Sequence, residues 1–333
     1  MRVLLWIVGI SAALWSGYWF VGAMAMEQAV VRWLDDRRDE GWVAETTAVH
    51  TRGFPNRFDT TVEGLDLADP ETGVAWTAPF FQVLALTYKP YHVIAVWPES
   101  QTLAFPDQKV AVGAEKMQGS IVFVPETALT VDRTQMVMDA VTLVSDAGWR
   151  TSIQEGRLAA RRTEGKPLAY DVGFRATDVS PSGRFLDVIT AGSDLPDTIE
   201  EMRIDATVAF DAPLDRHAIE DRRPQPTSVE LKILKATWGN LDLQMTGTVD
   251  VDDRGYPDGA VAVQARNWRD MLDLAVRADA LPRDLLPTAE RALAFLAGLS
   301  GNPETIDASL NFRNGLVAFG PLPLGPAPRL VLR

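Results

Sequence analysis

The sequence contains no cysteine and only three histidines. The first absence removes disulfides, thiolate metal ligands and a cysteine nucleophile. The second leaves His50, His92 and His217, at spacings that no zinc motif uses. Positive charge is also scarce, with 32 Lys and Arg against 45 Asp and Glu for a net −13. Such a chain suits neither a nucleic-acid backbone nor a broad hold on anionic lipid headgroups. Gly-x-Ser-x-Gly, Walker-type, Gly-x-Gly-x-x-Gly and His-Glu-x-x-His patterns are absent too. Asp250, Asp252 and Gly255 begin like a calcium loop, but Arg254 and Val261 stand where oxygen ligands are needed, so the segment reads as a turn. His217 with Asp215 and Glu220 is a weak acid/base trio, better read as a surface cluster. No cofactor, no metal and no nucleic-acid partner is expected.

Charge of either sign is missing from Val3 to Met26. As a helix this stretch rises about 36 Å, enough for a hydrocarbon core of about 30 Å. It is apolar all round, which argues against a helix lying in the interface. Trp15, Tyr18, Trp19 and Phe20 gather toward its far end and Arg2 marks the near end, so the amino terminus is expected in the cytoplasm. Two fates stay open: an uncleaved signal anchor, or a signal peptide cut after Ala23-Met24-Ala25. Both export the rest. The expected place is the bacterial inner membrane, crossed once by residues 3–26, with the main domain periplasmic.

From Glu27 to Gly41 the pattern is helical, with Asp35 to Glu40 as a solvated, self-paired face and Gly41 as the stop. Beyond Gly41 the periodicity falls toward two and short strands follow, divided by Pro or Gly, without intervening helices. Val74 to Thr77 and Phe80 to Tyr88 read as separate strands around Pro79, and Phe185 to Thr190 as strand or helix. Ile204 to Phe210 alternates cleanly. Asp221 to Pro226 is a boundary candidate. Later come strands Leu241 to Val251 and Ala260 to Gln264, a helix Trp268 to Ala280 capped by Asn267, a helix Pro287 to Leu299, and a hairpin turning at Asn314-Gly315. The tail Gly320 to Pro328 holds four prolines and reads as irregular. The parts are then an anchor at 1–26, a juxtamembrane helix at 27–41, a β-rich region at 42–220 and a second β region with a helix pair at 227–333. The fold class is α+β, mostly antiparallel, with a long curved sheet that is groove-like or sandwich-like.

The ordered set Arg52-Gly53-Phe54-Pro55, Lys89-Pro90, Pro213 to Arg216, Trp238-Gly239, Asn267-Trp268-Arg269, Asn314-Gly315 and Gly320 to Gly325 resembles the alphaproteobacterial family catalogued as domain of unknown function 2125. The resemblance implies a membrane-anchored envelope protein without an assigned activity. The hairpin with Gly247, Asp252 and Gly255, and the closing strand-turn-strand, is similar to repeats of the AsmA-like envelope proteins. That likeness implies curved sheets whose apolar face is associated with phospholipid transport.

Trp76, Phe80, Phe81, Leu84, Leu86, Tyr88, Ile94 and Trp97 form an apolar stripe richer than a half-buried strand needs. Either protein covers both faces, or one face lines a groove for an acyl chain. The leading expectation is a non-enzymatic envelope protein that binds or passes a phospholipid or other apolar ligand. The alternative is an adaptor that binds protein partners of an envelope complex.

Overall fold

The computed structural model describes residues 1–183, 195–220, 222–278, 286–299, 302–320 and 322–332. Phe185 to Thr190 lie outside the described residues. The chain divides into two compact units, one of residues 1–125 and 136–147, the other of residues 126–135 and 148–333. The proline-rich stretch at 222–226 lies inside the second unit, between two of its strands. The architecture is the expected one: antiparallel β-structure with one long amino-terminal helix and two carboxy-terminal helices.

The first unit begins with α1, unbroken from Arg2 to Asp39. Gly41 ends it in the left-handed region, at φ +89°. Its N–H and that of Trp42 return to the carbonyls of Arg38 and Arg37, which satisfies the last helical turn. The acidic and basic run pairs within itself, Arg37 with Glu40 at 2.7 Å and Arg38 with Asp35 at 2.5 Å. Strands β1 (Val43–Glu45) and β2 (Ala48–Arg52) both pair with β3 (Arg57–Asp69), which forms a long hairpin with β4 (Val74–Leu86).

The two strands expected between Val74 and Tyr88 are thus one. Pro79 does not interrupt it because the ladder steps from Glu63–Phe80 to Leu65–Ala78, leaving Pro79 opposite Gly64 where no donor is required. Gly64 takes φ +61°, and across this left-handed residue the buried positions of β3 change from Phe58, Thr60 and Val62 to Leu65 and Leu67. Strand β4 then forks the sheet. Its first half pairs with β6 (Ser100–Ala104) and its second half with β5 (Lys89–Val96). One branch continues to β8 (Lys116–Phe123), the other to β7 (Lys109–Gly113) and β9 (Val131–Ser145).

Helix α1 runs alongside β3. Leu34 is buried among Ala44, Val62, Leu65, Leu67 and Ala78, and Trp19 and Ala23 are buried on Phe58. Gly22 permits the close approach, since a Cβ there would stand 2.5 Å from the tip of the Phe58 ring.

The second unit is a meander of β10 (Trp149–Arg162), β11 (Ala169–Gly183), β12 (Ile199–Phe210), β13 (Pro226–Trp238), β14 (Leu241–Val251), β15 (Pro257–Arg266), β16 (Thr305–Arg313), β17 (Leu316–Phe319) and β18 (Leu322–Pro326), each antiparallel to the next. The tail is therefore not irregular: β18 joins β17 across a register shift. Prolines are tolerated there because β17 is the only strand it pairs with among the described residues. Asn314 and Gly315, at φ +54° and +73°, make the tight turn expected of Asn-Gly. Helices α2 (Trp268–Arg277) and α3 (Leu286–Leu299) lie between β15 and β16 in sequence. They bury Trp268, Leu293 and Ala297 on Ala265 and Ile306. Asn267 occupies the cap position of α2 in a left-handed conformation, yet its side chain caps nothing and instead donates to the carbonyl of Asn240.

Candidate functional site

The structure divides the sequence-predicted stripe between two faces of the first unit. Trp76 and Phe81 pack on the core beneath α1, and Phe81 meets Trp97 with ring centroids 5.3 Å apart. Trp76 also donates its indole N–H to Gln101 Oε1 at 2.6 Å. Phe80, Leu84 and Leu86 point to the opposite face, where Leu84 stands across from Ile94. Tyr88 is exposed in the turn between β4 and β5. The eight residues are near in sequence but do not share one wall.

Phe80 lines a cavity of about 640 Å³ together with His50, Arg52, Asp59, Thr61, Glu63 and Gln82. Its walls are polar, with His50 Nδ1 3.7 Å from Glu63 Oε1.

An apolar surface lies in the second unit. Register and strand alternation put Leu158, Phe174, Ile204, Leu234, Met245 and Val263 in one row across six strands, on one face of the sheet. The next row on that face is Gly156, Ala176, Met202, Ala236, Leu243 and Ala265. Val172, Ala206, Leu231 and Val261 continue it on the other side. The end at β14 to β16 is sealed by α2 and α3. At β10 to β12 it is open: Leu158, Met202 and Ile204 are each more than a third exposed. Bulges in β13, between Leu231 and Leu234, and a left-handed Asp178 in β11 add local bend and twist.

The reverse face is charged. Asp171 accepts from Thr207 Oγ1 at 2.7 Å and from Lys232 Nζ at 3.1 Å, with Arg161 Nε 3.5 Å away. The Thr207 hydrogen bond, then that of Lys232, holds the Asp171 carboxyl below its usual range. Arg175 and Lys235 pair with Glu201 at 3.1 and 3.5 Å. These carboxylates are committed to structural partners. A cavity of about 430 Å³ opens beside Asp171, lined also by Arg133, Gln135 and Asp205. One surface of this sheet is charged and the other apolar.

The weaker chemical candidates resolve into structure. Asp252 Oδ1 accepts the backbone N–H groups of Tyr256 and Arg254 at 2.8 and 2.9 Å, and the Tyr256 bond above all lowers its pKa. The would-be calcium loop is therefore the turn of the β14–β15 hairpin. Asp215 accepts the His217 backbone N–H at 2.9 Å and so opens a single helical turn, His217–Glu220. His92 shares a hydrogen bond with Ser120 at 2.9 Å. Among the described residues no group of three or more His, Asp or Glu side chains gathers as a metal site would require.

The open apolar rows were missed because no short window shows them. Individual strands of the set were legible, among them Ile204 to Phe210, Leu241 to Val251 and Ala260 to Gln264, but the rows come from pairing residues far apart in sequence.

Fold and surface together describe an antiparallel β protein carrying one amino-terminal helix long and apolar enough to cross a membrane. The family model described as "Uncharacterized protein conserved in bacteria (DUF2125)" matches residues 19–328, and the chain belongs to that family. No curated protein and no solved structure matches the chain.

Proposed function

We propose that the protein is a membrane-anchored envelope protein that holds an apolar ligand, the acyl part of a lipid, on the open apolar face of β10 to β13. The observation that carries this reading is the row Leu158–Phe174–Ile204–Leu234, half-open on one side of a sheet whose reverse is charged. Water-facing sheets keep one apolar side covered, and an uncovered patch of this kind is a place for a partner or ligand. The anchor is α1, with its amino terminus and Arg2 in the cytoplasm and the β units on the periplasmic side of the inner membrane. Retention of the helix, rather than cleavage after Ala25, is supported by its packing. Cleavage would remove Trp19 and Ala23 from their buried places on Phe58.

The test uses the full chain in lipid nanodiscs that contain a phospholipid with a photoactivatable group in its acyl chain. Adducts on peptides from 153–177 and 199–210, lost in Leu158→Asp and Ile204→Asp variants that keep their β-sheet spectrum, are the expected result. Adducts confined to α1 would overturn lipid holding. The adaptor reading, in which the charged faces bind a protein of the envelope, would then take its place.

A further inference from the structure

The helix that would cross the membrane is also the helix that packs on the β-sheet, and its length does not allow the two tasks to be separated. Residues 2–14 are exposed throughout. As a helix they span about 20 Å, some 10 Å short of the hydrocarbon core of about 30 Å. Arg2 closes the charge-free run on one side, so its remaining turns are those of residues 15–21. That stretch is bonded to the sheet. Trp15 Nε1 donates to the Pro55 carbonyl at 2.9 Å, Tyr18 Oη to that of Thr87 at 2.8 Å, and Trp19 Nε1 to that of Arg57 at 2.7 Å.

Resting on the reading that α1 spans, we infer that the turns β2–β3 (residues 53–56) and β4–β5 (residues 87–88) are seated in the outer leaflet of the bilayer that α1 crosses. The loop surfaces fit that place. Phe54 is 53 % exposed and stacks beside Phe20, itself 61 % exposed, while Tyr88 is 59 % exposed at the neighbouring turn. Tyr88, a ring with a polar end, is of the kind that favours a membrane interface, and Phe54 and Phe20 add exposed apolar area beside it. Arg52 and Lys89 are exposed beside the two turns, placed for lipid phosphates, in a chain whose net charge is otherwise strongly negative. The opposite end of the β3–β4 hairpin, at Glu71, lies about 40 Å along β3 from Arg57 and is clear of the bilayer. The first unit is then a body with its loops in the membrane, held there by main-chain carbonyls bonded to the spanning helix.

The absence of cysteine makes this directly measurable. Single-cysteine variants Ile10→Cys, Phe54→Cys, Tyr88→Cys and Glu71→Cys of the full chain are labelled with an environment-sensitive fluorophore. They are reconstituted in phosphatidylcholine–phosphatidylglycerol vesicles containing nitroxide-labelled lipid. The expected result is strong quenching at 10, 54 and 88 and none at 71. Quenching at 10 with none at 54 and 88 overturns the seating of the loops while leaving the span intact. No quenching at 10 overturns the span, and the inference with it. Tyr88 is in an exposed turn, so its variant reports even if loss of the Phe54 ring loosens its own loop.

Discussion

Trp19→Ala is the sharpest probe of how α1 is held. The side chain is 6 % exposed, meets Phe54 edge-on at 5.5 Å and Phe58 at 6.2 Å, and gives its N–H to Arg57. Truncating a buried tryptophan costs about 3–5 kcal/mol, and the Arg57 carbonyl also loses a hydrogen bond worth about 1 kcal/mol. Phe54 is half-exposed and can collapse inward, so the lower end applies, about 3 kcal/mol. The reporter is the Thr51 amide, which donates across to Glu27 Oε1 on α1 at 2.6 Å and is freed when the helix lifts. At 1.4 kcal/mol per decade, its hydrogen exchange rises roughly 100-fold when exchange follows the opening equilibrium. Phe20→Ala, at a position 61 % exposed, is the control and leaves the rate within about threefold, the equivalent of some 0.7 kcal/mol. An equally small change in Trp19→Ala would refute the docking of α1 through this residue.

Gly22→Leu places a branched side chain against the buried Phe58 ring and is expected to raise Thr51 exchange in the same way, whereas Gly17→Leu, with open space around it, is not. In Gly247→Val the new Cβ meets the Ala260 carbonyl oxygen at 2.3 Å and Val261 Cα at 2.6 Å, both rigid backbone. Overpacking of about 1–3 kcal/mol lowers Tm by about 3–10 °C in thermal unfolding of the second unit's signal. Asp171 has a folded pKa below its unfolded one, so its contribution to stability is complete above the unfolded value, near 3.9, and is lost as pH falls through the lowered folded value. Asp171→Asn should therefore flatten the acid limb of the stability curve below about pH 4. At neutral pH it should cost less than about 1 kcal/mol, since the site is close to solvent; a variant curve parallel to the parent's at low pH would contradict this.

Local chemistry was legible wherever the signal was contained in a few residues. The charge-free run, the Gly41 stop, the Asn-Gly turn and the strand periodicity each follow from neighbours in sequence, and each is found in the structure. Pro79 misled, because a proline reads as a break unless one knows that Gly64 stands opposite it in a gap of the ladder. The tail prolines misled in the same way, since an edge strand needs only part of its N–H groups. The stripe at Trp76 to Trp97 places apolar side chains on both faces of β4, Trp76 and Phe81 toward α1 and Phe80 and Leu84 away from it. Which face met α1 depended on the left-handed backbone at Gly64, which no periodicity count reveals. The open rows of the second unit are further from reach still. Each strand contributes two or three residues, and only the register of six strands assembles them.

Helix α1 has no joint between its exposed first turns and its packed last ones. A rod of 38 residues is about 57 Å long. Ordinary tilts of about 20° in a bilayer swing its far end by on the order of 20 Å. Because three carbonyls and the Leu34 contact bind the first unit to that rod, the unit cannot stay level while the helix leans. On the reading that α1 spans, a bilayer thinner than its charge-free run favours more tilt, and the sheet bound to the helix would lean with it.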